Sequence, residues 1–339
     1  MKPVPDRPMT GKVVRFVAPG RVELAEVPVP DPADGELLVR AEFSGISGGT
    51  EMLAYRGELD PELARDEALE SLDGTFAYPF TYGYSVVGQV ERSRARVAEG
   101  ARVFAFHAHQ DRFVVGERDA IPLGGEDPRR ATLLPLVETA LQTCLDAGPR
   151  LGEPVAVLGL GCVGALTAAL LVRAGARVIG SEPRPERRRA AAHLGVEAVG
   201  PDALAARLDQ LTGGRGVPLA IEATGRPQAL AAALPLLAHE GVVLVCSWYG
   251  TKPVSLPLGA DFHRRRLVIR STQVSTIPSN LAGRWDRGRR RQAARALLSE
   301  LPLDPLATHE FPFERAPDAY AAVAGDAPDL IHAALRYSP

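Results

Sequence analysis

Five residues of strand character followed by three glycines at fixed spacing constrain this chain more than any other stretch. Pro154-Val-Ala-Val-Leu158 has the length and valine content of a buried strand, and Gly159-Leu-Gly161-Cys-Val-Gly164 follows it without a break. In a strand–turn–helix unit the first glycine permits the tight turn and the second lets backbone approach a pyrophosphate. The third allows the helix to pack closely on the strand. A helical run, residues 165–174, comes next, and its unpaired first amides face the phosphate charge. Gly159, Gly161, Cys162, Val163 and Gly164 are therefore the phosphate-side candidates. A second apolar strand, Arg177-Val-Ile-Gly-Ser181, leads into Glu182, 18 residues after Gly164, close to where an acid grips ribose hydroxyls. The Glu182 carboxylate repels a 2′-phosphate and so favours NAD(H), whereas Arg184, Arg187 and Arg188 nearby suit NADP(H). The expectation is NAD(H) over NADP(H).

Composition narrows the partners. The 339 residues allow two domains and a large core, and they are 46% hydrophobic and 24% charged with a formal net charge of −2. That balance gives no electrostatic case for nucleic acid. There is no 18-residue apolar run, and the polar, proline-bearing start has no signal-peptide character, so neither membrane nor export is expected. Cys144, Cys162 and Cys246 are far apart and form no CxxC, which argues for a reducing cytoplasm and against structural zinc. Cys162 lies inside the glycine turn, where it is either a thiol activated by a helix start or a small apolar filler.

Short strands broken by Pro28, Pro30, Pro32 and Gly35 fill residues 12–43, and more strands follow at 85–91, 102–106 and 112–115, as in a β-rich domain. Between them, Asp60-Pro-Glu-Leu-Ala-Arg-Asp-Glu opens with a cap, an N1 proline and acids in the first turns, predicting a helix over 60–71. After Leu151 strands and helices alternate. Strands near 155, 178, 199, 219–223, 242–245 and 267–270 predict a doubly wound α/β sheet of six parallel strands. The tail carries an alanine-rich helix, an extended 308–313, a helix near 317–324 and a last strand. The expected domains are 1–148, 149–272 and 273–339.

Taken together, Gly45-Ile-Ser-Gly-Gly-Thr-Glu51, Tyr82-Gly-Tyr-Ser-Val-Val-Gly88, Glu99-Gly-Ala-Arg-Val103, Leu134-Pro-Leu-Val-Glu-Thr-Ala-Leu141, the 159–164 turn, 308–313 and 319–322 resemble the medium-chain dehydrogenase/reductase superfamily. Nearly the whole chain is covered, and the branch it is most similar to is that of bacteriochlorophyllide hydroxyethyl dehydrogenase. The resemblance implies a GroES-like β-rich catalytic domain, a Rossmann domain, and a groove with the nicotinamide at its floor. It also implies a homodimer paired near residues 267–272. Where zinc-dependent members carry metal ligands, the corresponding positions here are Ser47, Tyr84 and Pro135. Hydroxyl and phenol are poor zinc ligands at neutral pH and proline offers no side-chain donor, so no bound metal is expected.

Hydride transfer to a carbonyl leaves an alkoxide that something must polarise and protonate. By the resemblance Tyr84 faces the nicotinamide, either as the oxygen-binding donor or as an aromatic pocket wall, with Ser47 beside it. His107 and His109, two apart on an expected strand, point the same way and suit a proton relay or simple backbone satisfaction. A metal held by Glu51, His107, His109 and Asp111 is a further alternative. Glu51 and Glu138 border the implied groove, and Thr139 sits by the nicotinamide. Thr224, Cys246, Ser247, Thr272 and Gln273 follow sheet strands at the carboxyl ends where ligands collect. The arginine runs 264–266 and 284–291 read as solvated faces, or as attractors of an anionic substrate. The resulting expectation is interconversion of a fairly bulky secondary alcohol and its ketone, sugar-like or a secondary metabolite. A quinone or enone reductase and a non-catalytic nucleotide-binding scaffold are the alternatives.

Overall fold

A computed structural model describes residues 9–66, 70–325 and 327–338. The chain forms two compact units, Met1–Leu133 with His309–Pro339, and Leu134–Thr308. Among the described residues no helix is long and apolar enough to cross a membrane.

The first unit is β-rich. It contains β1 (Thr10–Ala18), β2 (Arg21–Pro28), β3 (Glu36–Ile46), α1 (Thr50–Arg56), β4 (Phe80–Thr81), β5 (Val86–Ser93), β6 (Arg102–Ala105), β7 (Arg112–Gly116), β8 (Ala120–Pro122) and α2 (Pro128–Ala131). Its closing elements, from the far end of the chain, are β15 (His309–Pro312), α9 (Ala316–Ala324) and β16 (Ala333–Arg336). β2, β1 and β4 make a three-stranded sheet, and a seven-stranded sheet runs β15-β16-β3-β5-β6-β8 with β7 also on β3. Along β1, Val13, Val14 and Phe16 are buried while Lys12 and Arg15 face out, so side chains from both faces of this strand are covered. Phe16 stacks on Phe80 at 5.0 Å and meets Tyr320 edge-on at 5.3 Å, so the returning helix α9 is part of this core.

The helix expected over 60–71 does not form; residues 67–69 lie outside the described set. The Asp60 side chain turns onto the Glu62 amide at 3.0 Å, and Arg65 N–H donates to the Gly74 carbonyl at 2.9 Å. Ala64 bridges Thr75, and Glu70–Leu72 makes a single 3₁₀ turn. Capping chemistry was present without an apolar stripe to bury: Leu63 stays 41% exposed, and the local Asx turn competes successfully with a helix. One helix that the sequence reading lacks is α1, whose Met52, Leu53, Ala54 and Tyr55 are all buried and which Gly57 ends in the left-handed conformation at φ 69°.

The second unit contains α3 (Leu134–Ala147), β9 (Pro154–Leu158), α4 (Cys162–Arg173), β10 (Arg177–Ser181), α5 (Pro185–His193) and β11 (Glu197–Val199). It continues with α6 (Pro201–Thr212), β12 (Val217–Glu222), α7 (Pro227–Ala233), β13 (Leu237–Val245), β14 (Val268–Ser271) and α8 (Arg287–Glu300). Six parallel strands run β11-β10-β9-β12-β13-β14, so the strand order reverses between β9 and β12. This is the doubly wound Rossmann sheet that the alternation of strands and helices predicts. Within it Val155, Ala156 and Val157 are fully buried, as central parallel strands covered on both faces must be. The arginine run at the start of α8 is not simply a solvated face. Arg290 is 2% exposed and places Nη2 3.0 Å from Glu138 Oε1, fastening α8 to α3.

Candidate functional site

In the second unit the glycine turn has the shape its sequence demands. Gly159 sits at φ 88°, and a Cβ there would meet the Ala223 carbonyl oxygen at 2.8 Å. At Gly164 a Cβ would strike the Gly159 carbonyl, so helix and turn pack as closely as backbone allows. A Cβ on Gly161 would meet nothing within 4 Å, which leaves an open face beside the start of α4. Gly161 is also the N-cap, so no side chain closes over the first amides of that helix. Val163 lies in its first turn. The Cys162 thiol is pushed up to about 12 by burial, which makes it a filler rather than an activated thiol.

Glu182 is buried beside this turn. Its Oε2 accepts the Leu160 amide at 3.0 Å and its Oε1 the Arg184 amide at 3.1 Å. Arg184 is the N-cap of α5 and Arg187 lies in that helix. Around the other strand ends, Thr224 donates its amide at 2.7 Å and its hydroxyl at 2.5 Å to Glu222 Oε1. Ser247 Oγ accepts the Gly225 amide at 2.8 Å. Cys246 lies 3.5 Å from the Thr143 hydroxyl, and its thiol is pushed up to about 11 by burial. Thr139 bonds back to the Pro135 carbonyl at 2.9 Å, Thr272 donates to Asp146 at 2.5 Å, and the Gln273 side chain accepts the Ser275 amide.

The first unit gathers a second set. Glu51, wholly buried on α1, accepts the Ser47 amide on Oε1 at 2.9 Å. Its Oε2 accepts the Tyr320 hydroxyl at 2.5 Å and lies 2.9 Å from His109 Nε2. His109 Nδ1 is 2.7 Å from the Ser44 hydroxyl, which in turn is 2.9 Å from the Tyr337 hydroxyl. Tyr84 is half-buried. Burial and the Glu51 carboxylate raise its phenol, while hydrogen bonds with the Ser47 and Thr50 side chains pull it down; the net effect keeps it neutral.

The two histidines are not neighbours on a strand. Both stand in the loop between β6 and β7 and take different partners. His107 stacks on Phe113 at 4.2 Å, donates from Nδ1 to the Ala108 carbonyl at 3.0 Å, and is lowered to about 4 by burial. Asp111 is engaged by the Lys12 amide at 2.7 Å. Of the quartet considered for a metal, only Glu51 and His109 meet. Among the described residues no group of three His, Cys, Asp or Glu side chains is placed to hold one. Sequence reasoning does not single out Ser44, Thr50, Tyr320 or Tyr337 as site residues, whereas Glu222 and Tyr249 lie in strand ends that it places near the ligand. Tyr320 is 269 positions from Glu51, and nothing local in Ala319-Tyr-Ala-Ala322 marks its hydroxyl as polar cargo in an apolar helix face.

Residues 162–287 match the family described as zinc-binding dehydrogenase. The chain is 27% identical to the 2-desacetyl-2-hydroxyethyl bacteriochlorophyllide A dehydrogenase of Cereibacter sphaeroides, over 97% of this chain and 99% of that one. These matches agree with the resemblance to the medium-chain dehydrogenase/reductase superfamily. Among solved structures, a Sinorhizobium meliloti zinc-binding dehydrogenase bound to NADP superposes with a TM-score of 0.75, at 21% identity over 97% of this chain and 99% of that one. An Escherichia coli alcohol dehydrogenase complexed with NADH gives 0.76, at 18% identity, over 96% and 99%.

The resemblance raises two fit tests. The nicotinamide dinucleotide passes: the open Gly161 face, the uncapped amides of α4 and the buried Glu182 form the cradle such a ligand needs. Catalytic zinc does not. The three positions hold a serine hydroxyl, a phenol kept neutral, and Pro135, whose only polar group is a carbonyl already taken by Thr139.

Proposed function

We propose that this medium-chain dehydrogenase/reductase is a zinc-independent, NAD(P)-dependent oxidoreductase that interconverts a secondary alcohol and a ketone. The observation that carries the reading is an intact glycine turn beside Glu182 in a chain whose metal positions hold Ser47, Tyr84 and Pro135. Gly159, Gly161 and Gly164 and the amides of Cys162 and Val163 would hold the pyrophosphate. Glu182 takes the adenosine ribose hydroxyls. Thr139, Thr224, Cys246, Ser247, Thr272 and Gln273 line the rest. When bound, the cofactor supplies or accepts the hydride.

The protein's own groups then manage the oxygen. Tyr84, neutral and hydrogen-bonded with Ser47 and Thr50, donates its phenolic proton to the oxygen as negative charge develops, and the phenolate so formed regains a proton from solvent before the next turnover. Glu51 holds the Ser47 amide, and His109 holds Glu51; both act on Tyr84 through this turn. His107, kept neutral, contributes shape and not proton transfer. NAD(H) is favoured over NADP(H) because the Glu182 carboxylate disfavours a 2′-phosphate, with Arg184 and Arg187 as the opposing influence. The named substrate of the bacteriochlorophyllide relative supports a fairly bulky alcohol. A homodimer formed through the edge strand β14, where Val268 is 46% exposed, completes the reading.

Oxidation of NADH and NADPH against a panel of ketones, with an enone alongside, tests it. The expected products are secondary alcohols. Saturation of the enone with no ketone turnover would replace the reading with a C=C reductase. Tight cofactor binding without any turnover would make the protein a scaffold.

A further inference from the structure

In the second unit one buried carboxylate ties together two strand ends. Glu222 closes β12 and is wholly buried. Its Oε1 accepts both the amide and the hydroxyl of Thr224, and its Oε2 accepts the Tyr249 hydroxyl at 2.6 Å. Tyr249 belongs to the loop after β13, so the bond spans two neighbouring strand ends. A second link runs the same way, from the Gly225 amide to Ser247 Oγ. Burial and the Glu222 carboxylate both raise the Tyr249 phenol, so it remains a donor.

The position of this latch gives it a ligand. Ala223, the residue after Glu222, packs against the glycine turn, where a Cβ on Gly159 would meet its carbonyl. Strand order reverses between β9 and β12, and a dinucleotide lies across that point with one mononucleotide on each half of the sheet. Glu182 follows β10 and marks the adenosine half. The β12 and β13 ends therefore serve the nicotinamide half. A carboxylate with three donors is a stiff joint, since bonds to a charged acceptor are about twice as strong as neutral ones. We propose that Glu222 and Tyr249 form a positioning latch that holds the β12 and β13 loops for the nicotinamide end of the cofactor. The proposal rests on reading this unit as the cofactor-binding one.

Calorimetric titration of the full chain with NADH, NADPH and ADP tests it, because ADP carries only the adenosine half. Tyr249→Phe keeps the ring and removes one donor; Glu222→Gln keeps the shape and removes the charge. Tyr249→Phe is expected to weaken the preferred dinucleotide about tenfold, as losing a bond to a charged group does, while ADP stays within about twofold. Glu222→Gln, where it folds, is expected to follow the same pattern. Equal weakening of dinucleotide and ADP would make the latch a general strut, and no change in either would remove it from binding; each result overturns the proposal. A wild-type chain that binds none of the three ligands would overturn the cofactor reading itself, an outcome distinct from the other two.

Discussion

His109 Nε2 lies 2.9 Å from Glu51 Oε2, with both side chains wholly buried. The carboxylate also accepts the Ser47 amide and the Tyr320 hydroxyl, so three polar partners surround it. A buried carboxylate left with a missing partner is costly, whereas an isosteric neutral replacement is tolerated better. His109→Ala should therefore destabilise the protein by about 3–5 kcal/mol, and Glu51→Gln by clearly less, in urea unfolding followed by circular dichroism. Equal losses for the two would mean that packing and not charge governs the pair.

Acid should unfold the protein through two other histidines. His107 and His332 are each lowered to about 4, chiefly by burial. Their folded values lie below the unfolded value, so the unfolded chain binds more protons as pH falls from about 6.5 towards 4. Stability is thus highest above that window and is lost through it, with each histidine contributing up to about 1.4 kcal/mol per pH unit. Melting temperatures measured from pH 7 to pH 4 should drop steeply, and the His332→Gln variant should show a shallower slope. A flat profile across the window would contradict both assignments.

Thiol reactivity should be low throughout. Cys144 and Cys162 are pushed up to about 12 and Cys246 to about 11, each chiefly by burial. Native protein at pH 8 should react with a disulfide reagent over hours and denatured protein within seconds, read as released chromophore. Rapid native labelling at Cys162 would restore it as an activated thiol at the helix start.

Cofactor choice should turn on Glu182. Its carboxylate is held by the Leu160 and Arg184 amides beside arginine-rich α5. Glu182→Ala should lower NADH affinity about tenfold or more and shift preference towards NADPH, measured by equilibrium titration. An unchanged preference would place the selection elsewhere.

The second unit was readable because its signals are local. Glycine spacing, valine-rich strands and their alternation with helices each report on neighbouring residues, and all agree on one sheet. Failures came where partners outside the immediate sequence window, or loop geometry, decide the outcome. The caps at Asp60 and Pro61 marked a helix start, yet no apolar stripe followed, and pairing with residues 74–76 prevailed. Histidine spacing at 107 and 109 mimics strand periodicity, but the segment is a loop whose side chains part company. Arg290, one of a charged run, is buried because Glu138 waits 152 positions earlier. Tyr320 and Tyr337 reach Glu51 and Ser44 only because β16 and α9 return to the first unit, a relation that no window of sequence contains.

The most direct test of the central claim is metal analysis of the same chelator-dialysed sample used for NADH-dependent ketone reduction. The predicted result is turnover without stoichiometric zinc, unchanged by the chelator and reduced by about 10²-fold or more in Tyr84→Phe. One zinc ion per chain, whose removal abolishes turnover and whose return restores it, would contradict the account.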